Sequence, residues 1–235
     1  MQLEKSLYRN GVFLFVLFVA IIVWGFWPSY YAHPWQALPA IRYHVHGALM
    51  TAWLLMLIAQ AYLIRSHRRA IHRVVGKVSY VLAPLVFTMF LVMIHGSSAL
   101  RQLLSANPVA LASAYVYLLG AAALFAAFYV LAIANRRTAT THAGYMVCTL
   151  FPIYSAGTDR AIVRMFSSTS PFDAAWAWFA GDLLLLMLAV WDWRSSRRMG
   201  TFAVAFVAMA VYHALIFATP AIPGAASFAE WVASL

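Results

Sequence analysis

The stretch VALASAYVYLLGAAALFAAFYVLAIA at 109–134 decides the fold class, because it contains no charged side chain from end to end. An α-helix rises 1.5 Å per residue, so about 20 residues cross the roughly 30 Å of hydrocarbon in a bilayer. This segment is therefore long enough and apolar enough to span a membrane as a helix. In a soluble protein of this size, one such helix would have to be completely buried.

Six further apolar stretches on either side of this segment are also predicted to span the bilayer. They cover 11–31, 43–65, 74–96, 141–158, 173–193 and 200–219. The composition agrees with this interpretation, because 65% of the chain is apolar and only 9% is charged, where soluble proteins have about 25% charged residues. We predict an all-α, polytopic membrane protein, with a single transmembrane helix-bundle domain over 1–235 and a short interfacial helix at about 224–235.

The basic residues predict the orientation, because cytoplasmic loops of membrane proteins are enriched in Lys and Arg. The net charge is +10, but the cations lie in short clusters between apolar stretches, which argues against nucleic-acid binding. Twelve fall on one side of the predicted membrane, and the other four are Arg42, Arg101, Arg160 and Arg164. We therefore predict a cytoplasmic N-terminus and a C-terminus on the opposite side of the membrane, with basic loops that contact anionic lipid head groups.

Several ionisable residues fall in the outer half of the predicted bundle, where each is a functional candidate because charge in hydrocarbon is costly. They are His44, His46, His95, Asp159, Arg160, Asp182 and His213. His44 and His46 are about 200° apart around a helix, so only one can face a given partner, and Gly47 beside His46 favours that residue. Simpler structural roles are also open: Asp182 can pair with Arg160, His213 can bond a backbone carbonyl, and His95 can be an ordinary interfacial residue.

A second polar group is predicted at the cytoplasmic ends of the helices. His72, Arg73, His142 and Asp192 all fall at nearly the same depth there. An ordinary interfacial role is open for His72, which lies among arginines. Gln60 shares a helix face with His46, fourteen residues earlier, and is predicted to form a hydrogen bond across the bundle.

Three classes of function are consistent with these residues. The first is binding of haem b or a redox metal (iron, copper or zinc) by His46 and His95, with His213 and Asp182 next and Arg160 near a haem propionate. The second is a zinc-dependent intramembrane hydrolase that uses the same four ligand candidates. The third is a non-catalytic bundle: an assembly factor, a lipid-binding protein or a proton-coupled carrier. The single cysteine, Cys148, excludes an internal disulfide and a multi-cysteine metal site.

Two family resemblances bear on these classes. The segment His46-Gly47-Ala48-Leu49-Met50 followed by Trp53 resembles the first core helix of cytochrome b561-like proteins, which implies haem binding. Intramembrane ceramidase-like and adiponectin-receptor-like enzymes have paired histidines four residues apart on the last helix. This chain has Phe217 where the second of those histidines would follow His213.

A broader resemblance extends over about 28–198. Its residues are His44-Val45-His46-Gly47 with Trp53 and Gln60, His72-Arg73 with Gly76, His142 with Met146, Thr149 and Arg160, and then Asp182 and Asp192. In these HxHG, HRxxG and HxxxM motifs the chain resembles a family of bacterial seven-helix inner-membrane proteins, from which it departs at Ala143-Gly144. The resemblance implies the seven-helix topology, a location in the bacterial inner membrane with the C-terminus in the periplasm, and the choice of polar residues, and it implies no reaction.

Overall fold

The computed structural model describes residues 2–32, 41–165, 171–196 and 200–235, and every element in those ranges is helical. The all-α prediction is therefore confirmed. The α-helices are α1 (Gln2–Phe26), α2 (Ile41–Arg65), α3 (Arg69–Gly76), α4 (Ser79–His95), α5 (Ser98–Ala106), α6 (Pro108–Ala134), α7 (Ala139–Cys148), α8 (Phe151–Met165), α9 (Pro171–Ser196), α10 (Thr201–Ala218) and α11 (Ala225–Ser234). A π-helical turn at Trp27–Tyr31 extends α1, and a 3₁₀ turn at Thr219–Ala221 extends α10.

Four helices in the described ranges are long and apolar enough to cross a membrane. They are α2, α6, the Ala175–Arg194 part of α9, and α10 with its 3₁₀ extension to Ala221. The pair α3–α4 forms a fifth candidate that is bent by 42°. The apolar part of α1, Phe15–Phe26, is shorter than a span. The chain is thus a helical membrane protein with four or five described candidate spans, where the sequence predicts seven.

The predicted third span is bent near its basic end. The sequence predicts a helix at 74–96 with a kink at Pro84, but the helix breaks at 77–78 instead, and Pro84 lies inside the second piece. The N–H of Val78 reaches back only three residues, to the carbonyl of Val75 at 3.0 Å, as in a tight 3₁₀-type turn. The hydroxyl of Ser79 donates to the carbonyl of Gly76 at 2.6 Å. This bond satisfies a carbonyl that the bend leaves open.

The predicted fifth span at 141–158, in which the sequence predicts a kink at Pro152, is divided into two helices. Helix α7 ends at Cys148 and α8 begins at Phe151. Pro152 lies in the first turn of α8, where its missing N–H costs no hydrogen bond, whereas further inside a helix it would interrupt one. The hydroxyl of Thr149 donates to the carbonyl of Met146 at 2.7 Å and thereby satisfies one carbonyl at the end of α7.

A short helix that the sequence did not predict, α5, connects α4 to α6. Its first turn is capped by Ser97, whose hydroxyl accepts the N–H of Leu100 at 3.3 Å. Asn107 caps α6 in the same way, with its side-chain oxygen 3.0 Å from the N–H of Ala110, as expected before a proline. Helices α5 and α11 both pack against α6, and they bury Leu100 and Ala229 in a small cluster separate from the main core.

The main core contains large aromatic side chains and one very close helix contact. Trp53, Phe125 and Phe151 are almost fully buried in this core. Helix α1 packs on α8 through two glycines: a Cβ added at Gly25 would overlap the carbonyl oxygen of Gly157 and lie 2.7 Å from its carbonyl carbon. Only glycine allows the two backbones to approach this closely.

Candidate functional site

The half of the bundle that the sequence predicts to be the outer one contains a buried histidine–aspartate pair. Nδ1 of His213 on α10 lies 2.8 Å from Oδ2 of Asp182 on α9, and the His213 side chain is only 3% exposed. Because a carboxylate oxygen accepts, the ring donates through Nδ1–H. Nε2 of His213 and Oδ1 of Asp182 are also buried, and neither has a hydrogen-bond partner within the described residues.

A second carboxylate, Asp159 on α8, lies beside this pair. The hydroxyl of Tyr117 donates to its Oδ2 and the indole N–H of Trp178 donates to its Oδ1, each at 2.7 Å. The ring of Trp178 also stacks on the imidazole of His213, with centroids 5.4 Å apart and planes at 13°. We call Tyr117, Asp159, Trp178, Asp182 and His213 the carboxylate cluster. It joins four helices, α6, α8, α9 and α10.

The ion pair between Asp182 and Arg160, which the sequence left open, does not form in the structure. The guanidinium of Arg160 donates to the carbonyl of Ala156 at 2.7 Å and lies 4.4 Å from the centre of the Phe26 ring. Arg160 is exposed and lies against α1. The partner of Asp182 is His213.

His46 and His95, the first two ligand candidates, lie in different surroundings. His46 is half-buried, with its ring edge-on to Phe90 at 5.9 Å, and its Nδ1 is buried with no partner in the described part of the chain. His95 is exposed at the end of α4. Gly96 lies against Arg42, so that a Cβ there would be 3.1 Å from the Arg42 side chain. His95 therefore lies near the level of Arg42, about one helical turn beyond His46.

The remaining outer candidate, His44, is half-buried, and its carbonyl accepts a hydrogen bond from the hydroxyl of Tyr30 at 3.4 Å. Across residues 2–32, 41–165, 171–196 and 200–235, no three or more His, Cys, Asp or Glu side chains are grouped so that they could hold a metal ion. Of the predicted outer residues, the structure brings together Asp159, Asp182 and His213.

A cavity of about 970 Å³ lies among α1, α2, α3, α4, α6 and α7, at the end of the bundle where the basic residues cluster. Five cations line it: Arg69, Arg73, Lys77, Arg136 and Arg137. None of the described residues that line it is acidic. We call this space the basic cavity. Gln60, His72, Arg73 and His142, which the sequence analysis singled out, all line it.

Gln60 connects α2 to α3 at the wall of the basic cavity. Its side-chain oxygen accepts the N–H of Gly76 at 2.9 Å, because a backbone N–H can only donate. Its side-chain nitrogen then donates to Nδ1 of His72, and it also lies 3.2 Å from the carbonyl of His72. The predicted hydrogen bond of Gln60 across the bundle is therefore made to α3.

His142 is fixed by the end of α6, and Asp192 lies elsewhere. Nδ1 of His142 is 2.9 Å from the carbonyl oxygen of Ala132, one of the last carbonyls of α6 that a helix leaves open. Asp192 packs instead against Gly200 at the start of α10, where a Cβ would overlap its carboxylate. Three of the four residues predicted at this end therefore line the basic cavity: His72, Arg73 and His142. Asp192 does not.

Sequence reasoning missed the neighbours that complete both sites. Trp178 precedes Asp182 by four residues and so lies on the same helix face, a spacing that could have pointed to their association. In the basic cavity, Arg136 and Lys77 belong to the twelve basic residues from which the sequence predicts only the orientation.

Comparisons with protein-family models, with curated proteins and with solved structures give no match. The functional conclusion therefore depends on the geometry of these two sites.

Proposed function

We propose that this protein is a bacterial inner-membrane, seven-span protein that binds an anionic lipid in the basic cavity, which faces the cytoplasm. This proposal corresponds to the lipid-binding protein among the non-catalytic bundles that the sequence analysis names as its third class. The observation that supports it is the convergence of five cations, two imidazoles and no acidic side chain on one cavity among the described residues. The excess of Lys and Arg on this side supports the cytoplasmic orientation.

The charge of the cavity favours an anion. Arg69, Arg73 and Lys77 come from the bent α3–α4 pair, and Arg136 and Arg137 follow α6. All five are exposed at the rim, so they remain hydrated when the cavity is empty. Guanidinium and ammonium groups form charge-assisted hydrogen bonds with phosphate oxygens. Each cation near the membrane surface contributes about 1 kcal/mol to binding of anionic lipid.

The apolar walls favour a lipid over a soluble phosphate. Phe15, Met56, Leu57, Ile64 and Met146 line the same cavity as the cations. These side chains add nothing to the binding of a free phosphate ion, whereas burying an acyl chain against them contributes about 25 cal/mol per Å². The volume is at the upper end of ordinary ligand sites, which suits a head group together with the first part of its chains.

The test is lipid binding by the purified full-length protein, measured by native mass spectrometry with added phospholipids. We expect an anionic phosphatidylglycerol to bind at least tenfold more tightly than phosphatidylcholine. Replacing Arg73 and Lys77 together by glutamine removes two of the five cations, so we expect the affinity for phosphatidylglycerol to fall roughly tenfold or more.

The matched control is Arg101→Gln, which removes an exposed cation from the outer half of the bundle and should leave lipid affinity unchanged. Equal affinity for the anionic and zwitterionic lipids in the unaltered protein would contradict the proposal. Inorganic phosphate that competes with phosphatidylglycerol at the same concentration would identify a soluble phosphate as the occupant instead.

Binding of haem b or a transition metal (iron, copper or zinc) is a second candidate, supported by one observation. Nε2 of His213 is buried and unpartnered in the described chain, while Nδ1 is held by Asp182, and metal-ligating imidazoles are commonly held by a carboxylate in this way. The exposed His95 does not fit an axial pair with His46. A zinc hydrolase would need three protein ligands, and the described residues do not group that many.

The test of this second candidate is the absorption spectrum and metal content of the purified protein. If His213 is a haem ligand, the sample is red and His213→Gln removes the Soret band, while His95→Gln leaves it unchanged. If it binds zinc, the sample is colourless with about one equivalent of zinc by elemental analysis. A colourless, metal-free sample that also fails to bind added haemin or Zn²⁺ contradicts both versions.

A further inference from the structure

We infer that the lipid in the basic cavity carries a free hydroxyl on its head group, as a phosphatidylglycerol-type phosphodiester does. The inference rests on the proposed function and names the ligand class of the same site. The observation behind it is that the hydrogen bonds of His72 and His142 fix these two imidazoles as opposite tautomers beside one cavity.

His72 presents a donor. The N–H of Gly76 can only donate, so the Gln60 atom at 2.9 Å from it is the amide oxygen. The amide NH₂ of Gln60 therefore faces Nδ1 of His72, which must accept. A neutral imidazole carries one proton, so the proton of His72 is on Nε2.

His142 presents an acceptor. The carbonyl of Ala132 can only accept, so Nδ1 of His142, at 2.9 Å, carries the proton. Nε2 of the neutral ring then carries the lone pair. Unperturbed imidazole is mostly neutral at pH 7. The cavity therefore holds one neutral donor and one neutral acceptor beside its cations.

A ligand that satisfies both rings needs an acceptor for His72 and a donor for His142. A phosphate oxygen supplies the acceptor and also binds the cations. The donor should be neutral, because an ammonium group such as that of phosphatidylethanolamine would be repelled by the five cations. A hydroxyl is a neutral donor, so a singly charged phosphodiester with a hydroxylated head group fits the whole site.

The experiment compares phosphatidylglycerol with phosphatidylmethanol, which has the same charge and the same diester but no free hydroxyl. Both are titrated into purified full-length protein in detergent, and binding is measured by native mass spectrometry. We expect phosphatidylglycerol to bind roughly two- to tenfold more tightly, which is the usual net effect of one hydrogen bond.

The His142→Asn variant keeps the hydrogen bond to the carbonyl of Ala132 but removes the hydrogen bond proposed between Nε2 and the ligand. The side-chain nitrogen of asparagine occupies nearly the position of Nδ1 and can still donate to the carbonyl of Ala132, but there is no atom at the Nε2 position. We expect this variant to bind the two lipids equally. The control is His67→Asn, in an exposed turn with φ of 59° that asparagine tolerates, and it should keep the preference.

Each of four other results would overturn part of this inference or of the proposed function. Equal binding of the two anionic lipids, both tighter than phosphatidylcholine, overturns this inference and leaves the proposed function standing. Anionic lipids that bind no better than phosphatidylcholine overturn both. A preference that persists in His142→Asn overturns the role assigned to His142. Glycerophosphoglycerol, the head group without chains, should compete weakly, and competition equal to that of the lipid would overturn the lipid assignment.

Discussion

Replacing Gly25 by alanine is expected to lower the free energy of unfolding by about 3 kcal/mol, at the upper end of the usual cost of overpacking. The added methyl would overlap the carbonyl of Gly157, and backbone atoms cannot move aside as a side chain can. Helices α1 and α8 would have to separate. The measurement is unfolding of the purified protein in mixed detergent, followed by circular dichroism or by tryptophan fluorescence.

Gly181→Ala is the matched control, because Gly181 is also a helical glycine in the bundle. The nearest atom to a Cβ there is Cε1 of Tyr154 at 3.4 Å, which is ordinary van der Waals contact. Alanine also favours the helix by up to about 1 kcal/mol, so this variant should be neutral or slightly more stable. Equal free energies of unfolding for the two variants would show that α1 and α8 do not make this close contact.

His213→Leu is expected to destabilise the bundle by about 3 kcal/mol, because it leaves the Asp182 carboxylate buried without its partner. Removing one member of a buried pair typically costs 3–5 kcal/mol. The lower end of that range is appropriate because one oxygen of Asp182 already lacks a hydrogen bond among the described residues. The same detergent unfolding assay measures the effect.

The double variant Asp182→Val with His213→Leu should recover most of that loss. Replacing a buried polar pair by apolar residues of similar volume is often neutral, and here the two atoms without partners disappear as well. His95→Leu, at an exposed histidine, is the control and should change stability by less than about 0.5 kcal/mol. Additive effects of the two single substitutions would show that Asp182 and His213 do not interact.

Long apolar stretches predicted the helices well. The segment at 109–134 corresponds to α6 at Pro108–Ala134, and the one at 200–219 corresponds to α10 at Thr201–Ala218. Within 74–96 and 141–158, where the sequence predicts kinks at Pro84 and Pro152, the helices break at 77–78 and 149–150 instead. Hydropathy averages over side chains and does not detect where backbone hydrogen bonds shorten to three residues, as they do at Val78 and Leu150.

The depth of the polar residues along the bundle could be predicted from the sequence, but their hydrogen-bond partners could not. Depth follows from position along a helix: the sequence predicts His72 and His142 at one level, and in the structure both line the basic cavity. The partner depends on the rotation and neighbours of each helix, which is why Asp182 bonds His213 whereas Arg160 lies against α1. The seven-span count, the orientation of the termini and the family resemblance stay predictions.

The side-chain amide of Gln60 both joins α2 to α3 and lines the basic cavity. Gln60 contacts the backbone N–H of Gly76 just before the 42° bend, and it also sets the ring orientation of His72. If a molecule that bonds to His72 changes the angle of α3, a change in that angle alters binding by the same free energy, because thermodynamic coupling is reciprocal. The bend between α3 and α4 and the basic cavity thus share one contact, the side chain of Gln60.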